Sequence, residues 1–310
     1  MILLRGLAGA FTAGLIPAIS SSVGDLAAEN HRAQWIGIVN GGASAGWIIG
    51  PILGGLLYDH FGYEVPFAAA IAMAVGALLL AFVLIPETYT PSAHPSHFRT
   101  AWSQNIKGLT SQRTFLLLMF ISFGVMFAWA FIEPQFMFYA YDDLNWTSAQ
   151  LGLIMSTYGL AFMFGEFALS PLSDRLGRKP ILVLGLALFS AQFIGLVLFQ
   201  DVTWIVASFM LAGLGNALYD PALSAFILDI TPPAHKARIM GIKSTVGSLG
   251  NLLGPALVVL LTPFVSSQVV FLISAGLILM LAFTSGLALS AHQWPEATRY
   301  ESQSTALQHK

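Results

Sequence analysis

Nine long apolar runs, separated by polar stretches, organise the chain. They cover residues 2–23, 35–57, 66–85, 114–139, 151–172, 181–199, 204–230, 241–261 and 269–291. Each is close to the roughly 20 residues that a helix needs to cross a hydrocarbon core. None alternates polar with apolar residues at a period of two, as barrel strands do, so the spans are expected to be helices. Two longer polar segments stand out. Residues 86–113 read as a cytoplasmic linker and residues 292–310 as a solvated cytoplasmic tail. The expected organisation is a partial N-terminal bundle over residues 1–85 and a six-helix bundle over residues 114–291. The fold class is an all-α membrane protein of about nine transmembrane helices.

Composition strengthens this picture. Of 310 residues, 56% are hydrophobic and only 9% are charged, against about 25% charged in a soluble domain. That excludes a soluble enzyme and a disordered chain. A net charge of -2 gives no reason to expect a nucleic-acid partner. The chain has no Cys, so it has neither disulfides nor thiolate metal ligands. His94 and His97 are weak metal candidates, and no Gly-rich phosphate loop followed by Lys is present, so neither metal nor nucleotide chemistry is expected. No cofactor and no obligate protein partner are expected.

The basic residues give an orientation. Twelve of the 13 Lys and Arg, all but Arg5, fall in alternate loops and the tail, Lys236, Arg238 and Lys243 among them. The positive-inside rule places those loops and the C-terminus in the cytoplasm, in a plasma or inner membrane. Nine helices then put the N-terminus outside.

Sliding the chain against itself reveals a repeat at an offset of 204. Leu7, Ala8, Gly9, Ala13, Pro17, Ala18, Ser20 and Asp25 meet identical residues from Leu211 to Asp229. Further on, Gly46, Gly50 and Pro51 meet Gly250, Gly254 and Pro255. Both copies run in the same direction, the layout of a transporter with two parallel halves. By this offset the spans at 114–139, 151–172 and 181–199 lack mates. The expectation is a twelve-helix protein from which the first three helices are missing, with upstream in-frame DNA encoding them.

One string is specific. Gly46-x-x-x-Gly50-Pro51-x-x-Gly54-Gly55 puts Gly46 and Gly50 one turn apart, where another helix can approach closely, beside a Pro that lacks a backbone donor. This string resembles the fifth-helix antiporter motif of the major facilitator superfamily, in its drug:proton antiporter branch. Three other segments carry the resemblance. Ser170 to Lys179, with Asp174, Arg175, Gly177, Arg178 and Lys179, is similar to that superfamily's loop signature. Leu4-Arg5-Gly-Leu-Ala-Gly9 is similar to the fourth-helix motif, whose Arg is linked to proton coupling. Pro86-Glu87-Thr88 is similar to the end of helix six.

In the loop signature, Asp174 can face a helix N-terminus and Arg175 can pair with an acid. The resemblance makes Asp229 that charge partner. Simple positive-inside topology, satisfied by Arg178 and Lys179, is the alternative.

Ionisable residues inside spans are functional candidates. They are Arg5, Glu133, Glu166 and Asp220. Asp220 and Glu133 are the first choices for a carboxylate over which protons and substrate compete. For Glu133 an interfacial position is the alternative, and for Glu166 a support role near the loop. Phe127, Trp129, Phe131, Tyr158 and Tyr219 are candidates to line an apolar pocket, against ordinary packing.

The resemblance implies a secondary transporter, not an enzyme. It would move a small lipophilic molecule outward in exchange for protons by alternating access, with the lipid bilayer around it. The alternatives are a sugar or metabolite transporter of the same superfamily, or an inactive truncated fragment.

Overall fold

The computed structural model describes residues 32–84, 113–169, 176–231 and 235–289, with a few isolated positions besides. Most of the predicted first span, the linker and the tail lie outside them. Among the described residues every regular element is helical. The helices are α1 Arg32–Phe61, α2 Glu64–Leu84, α3 Arg113–Phe138, α4 Ser148–Leu169, α5 Arg178–Phe189, α6 Ala191–Leu198, α7 Val202–Asp229, α8 Lys236–Leu261 and α9 Ser267–Ala288. A π-helical turn, Tyr139–Asp143, extends α3.

Seven spans among the described residues are long and apolar enough to cross a membrane, the π-turn counted with α3 and α5 counted with α6. Hydrocarbon offers backbone amides no water, so a crossing chain must pair them within itself. Helices α1, α3, α7 and α8 each contain one Pro, namely Pro51, Pro134, Pro221 and Pro255. The chain predicted as one span at 181–199 is broken at Ser190, whose hydroxyl donates to the Ala187 carbonyl at 2.7 Å. Such back-bonding bends helices.

The chain divides into two compact units. The first comprises residues 1–102 and 145–160. In it α1 turns into α2 at Gly62, whose φ of +81° favours glycine. Helix α2 has no buried residue, and a helix apolar on every side belongs in lipid.

The start of α4 is held by two devices. Thr147 and Gln150 form a capping box, Thr147 N–H donating to Gln150 Oε1 at 2.8 Å and Gln150 N–H to Thr147 Oγ1 at 3.2 Å. The next two orphan donors, Ser148 and Ala149 N–H, donate to the two oxygens of Asp59 on α1, at 3.1 and 2.8 Å. Desolvation pushes the Asp59 carboxyl up, but these bonds outweigh it and hold it below its ordinary value of 3.8. On the same face of α1, Gly55 meets the backbone of Ser148 and Ala149, while the Pro51 carbonyl faces Gly152.

The second unit comprises residues 103–144 and 161–310. Helix α3 packs on α8 and α9, α5 packs on α7 and α9, and α6 lies against α7 and α9. Phe131, Phe136, Phe193, Phe209 and Phe271 are fully buried. Phe136 stacks on Phe209, and Tyr139 meets Phe271 edge-on, each with ring centroids 5.4 Å apart. Large residues such as Phe283, Leu287 and Leu198 face outward, an arrangement suited to acyl chains rather than water. The hydrophobic effect cannot hold helices together in lipid, so the crossings rely on small residues. Gly185 on α5 and Gly215 on α7 bring two backbones together, and Gly250 and Gly254 on α8 do the same against α3.

Two outcomes follow. Gly185→Val puts a side chain against the Tyr219 amide and the Gly215 carbonyl, backbone that cannot yield. It should lower stability by about 1–3 kcal/mol in thermal melts of the detergent-solubilised protein, whereas Gly276→Ala, which enters open space, should not. Asp59→Ala removes the acceptors for two helix N-terminal amides. It should cost about 0.5–1 kcal/mol and speed hydrogen exchange at Ser148 and Ala149. Because the Asp59 carboxyl is held low, its contribution is complete above the ordinary carboxylate range. It is lost only as pH falls through the depressed value, so the difference between wild type and Asp59→Ala should close only in strong acid.

Candidate functional site

Helices α7 and α8 place three polar side chains together in apolar surroundings. Asp220 and Ser224 stand one turn apart on α7, hence on one face. Lys243 of α8 donates to Asp220 Oδ1 at 2.7 Å and to Ser224 Oγ at 2.7 Å. The Lys243 side chain is 16% exposed and that of Asp220 43%. Asp220 precedes Pro221, so the helix lacks one backbone donor next to the carboxylate.

The positive-inside reading counts Lys243 with the loop residues Lys236 and Arg238, although the apolar run 241–261 contains it. Helix α8 starts at Lys236 and so contains all three, and seven residues of rise carry Lys243 about 10 Å along it. The repeat held a signal that would have found the pair. At the offset of 204, Asp220 lies opposite Ile16 and Lys243 opposite Val39. The shared scaffold requires neither charge, and the two charges occur together and touch.

A second carboxylate lies nearby. Gly165 on α4 packs against Leu214 and Ala217 of α7, which brings the α4 backbone close to the face that carries Asp220 one turn on. Glu166 follows Gly165 and is exposed. Of the four ionisable candidates, Asp220 is the one held in an ion pair among the described residues. Glu133 is exposed on α3 before Pro134 and shows no link to this cluster among the described residues. Arg5 lies outside them.

The loop signature is described in part. Asp174 and Arg175 lie outside the described residues. Gly177 precedes α5 with φ of +93°, a conformation that favours glycine. Arg178 and Lys179 open α5. Arg178 Nε pairs with Asp229 Oδ2 at 3.1 Å, so the acid expected for Arg175 is engaged by Arg178. The pair also offsets the cost of a basic residue at a helix N-terminus.

Within the antiporter string the close approach falls on Gly55, which is buried, and on the Pro51 carbonyl. Gly46, Gly50 and Gly54 have open space around them among the described residues. The aromatic candidates divide similarly. Phe131 and Tyr219 are buried in the core, with Tyr219 edge-on to Phe189, so they pack rather than line a pocket. Phe127 stacks between Phe123 and Phe131.

The ion pair gives a measurable coupling. Asp220→Asn or Lys243→Met alone leaves one charge uncompensated among apolar helices, and the double variant leaves none. A double-mutant cycle on thermal stability should show a coupling of about 1 kcal/mol, with the double variant more stable than the sum of the single losses.

Comparison with known proteins places this geometry in context. A family profile described as Major Facilitator Superfamily matches residues 1–141 and 114–303. The tetracycline resistance protein, class G, of Vibrio anguillarum is 29% identical over 262 residues, covering 82% of this chain and 63% of that protein. The multidrug resistance protein MdtG of Klebsiella pneumoniae (strain 342) is 26% identical over 293 residues, covering 93% of this chain and 70% of that protein. The chain thus spans roughly two-thirds of the length of these relatives. The crystal structure of the human organic anion transporter MFSD10 (TETRAN) matches with a TM-score of 0.59 at 20% identity, over 86% of this chain and 66% of that one. That likeness supports the helical transporter fold.

Proposed function

Because this chain belongs to the Major Facilitator Superfamily, we propose that it is a secondary transporter that exports small lipophilic molecules in exchange for protons. The observation that carries this is the Asp220–Lys243–Ser224 cluster on helices otherwise made for lipid. Charges at such depth are costly and mark transport pathways. The named functions of the tetracycline resistance and MdtG relatives favour drug export over metabolite uptake.

In this proposal the chain sits in the inner membrane with its C-terminus in the cytoplasm. The Arg178–Asp229 pair then lies at the cytoplasmic end, and the Asp59 cap on α4 at the outer end. Alternating access exposes the polar cluster first to one face and then to the other. Protons entering from outside neutralise a carboxylate there and promote release of the substrate. Glu133, exposed on α3, serves as a second acid along the route. Residues 1–85 contribute the N-terminal bundle and residues 114–291 the C-terminal bundle. No covalent step is involved.

The test is dye movement in everted membrane vesicles that contain the full chain. An imposed interior-acid gradient should drive ethidium uptake, and a protonophore should abolish it. Lys243→Met and Asp220→Asn should each lower the initial rate at least about tenfold. Uptake that is absent, or indifferent to the gradient, would refute proton-coupled export.

A further inference from the structure

We propose that the second unit carries a binding site for a hydroxylated primary amine, in a polar cavity at the end of the bundle where α3 finishes. Only its placement at the outer face of the membrane rests on the transport reading above.

The cavity has a volume of about 530 Å³, within the range of sites for small molecules. The end of α3, the turn between α6 and α7 and the turn between α8 and α9 all contribute to it. It shares no residue with the Asp220–Lys243–Ser224 cluster.

A π-turn builds one wall. Gln135, Tyr139 and Asp143, spaced by four residues, all line the cavity. In a regular α-helix four residues overshoot a turn of about 3.6, so a row at this spacing drifts round the axis. From Tyr139 the chain is π-helical, and Leu144 N–H donates to the Tyr139 carbonyl at 3.0 Å, five residues back. Four residues fall short of this wider turn. The drift from Gln135 to Tyr139 is therefore reversed between Tyr139 and Asp143. The turn thus returns the Asp143 carboxylate to the row that Gln135 begins. Single π-turns inside α-helices frequently mark functional sites.

The lining selects the ligand. Asp143 is its one charged residue, and no Lys, Arg or His lines the cavity. Among the described residues no basic side chain pairs with Asp143. Ser267 and Gln268 open α9 and also line the cavity. A helix N-terminus brings only about half a positive charge, so the cavity stays negative and favours a cation. Its other polar groups include the carboxamides of Gln135, Gln200 and Gln268 and the hydroxyls of Tyr139 and Ser267. Gln135 Nε2 already donates to Ser267 Oγ at 2.7 Å. Carboxamides and hydroxyls both donate and accept, which matches a ligand that carries hydroxyls. A primary ammonium brings three donors to the carboxylate and the amide oxygens. A quaternary ammonium brings none and leaves those acceptors unanswered. The described residues hold no cluster of acids or His that would favour a metal ion instead.

Titration calorimetry of the full chain in phosphatidylcholine nanodiscs tests the site. The probe is glucosamine, in a buffer acidic enough to keep its amine protonated. It should bind one-to-one. N-acetylglucosamine, which keeps the ring hydroxyls and loses the charge, should bind at least about tenfold more weakly. This comparison uses the wild type and so depends on no variant folding. Asp143→Asn should weaken glucosamine by a similar factor. Asp142→Asn, which alters the neighbouring acid outside the lining, should leave binding unchanged. Equal binding of the two sugars overturns the proposal, as does equal binding by wild type and Asp143→Asn. Displacement of glucosamine by equimolar choline or calcium overturns the assignment to a primary amine. Vesicles that take up no ethidium, while glucosamine binds as described, refute the transport reading and leave this site standing.

Discussion

Hydrocarbon cannot hydrogen-bond, and the described structure follows from that constraint. Every span is helical because only a helix pairs its own amides over such a length. Where a helix end is left with orphan donors, another element supplies acceptors, as Asp59 of α1 does for α4. Several Ser and Thr hydroxyls on the spans turn back to carbonyls of their own helix, as those of Ser122, Thr157 and Ser285 do, and Ser274 donates across to the Ala128 carbonyl of α3. The same constraint makes a lone charge costly. Asp220 and Lys243 can occupy neighbouring spans because each answers the other, and Asp229 and Arg178 repeat the solution nearer a helix end.

Lipid also removes the usual reason for helices to associate. Acyl chains solvate Leu and Phe as well as another helix does, so cohesion depends on how closely backbones approach. Gly185 facing Gly215, and Gly250 and Gly254 facing α3, meet that need. The consequence for function is geometric. A crossing set by backbone contact fixes the relative height of α7 against α5, and of α8 against α3, with little slack. Charged side chains on α7 and α8 can then meet at 2.7 Å.

Hydropathy alone disclosed the helical class and the place of most spans, because apolar length is a direct consequence of membrane thickness. It did not disclose where helices begin. A polar first turn resembles a loop in sequence, and so Lys243 was counted with Lys236 and Arg238 although α8 contains all three. The glycine string announced a close approach but not which glycine makes it. That choice depends on the rotation of α1 about its axis, which Asp59 and Gly55 share with Pro51 rather than with Gly46 or Gly50. Pairing was harder still. Nothing in the spacing says that Arg178 meets Asp229, a contact 51 residues apart. The repeat carried more than it was asked for, since Ile16 and Val39 stand opposite the two charges.

The start of α4 meets the same demand at a helix end. Its capping box answers the amides of Thr147 and Gln150, and Asp59 of α1 answers those of Ser148 and Ala149 with its two carboxylate oxygens. Donors that a helix start leaves without partners are thus met by side chains. One carboxylate serving two amides fixes α1 against the first turn of α4 in a way apolar contact cannot, because a misplaced oxygen leaves a donor unanswered.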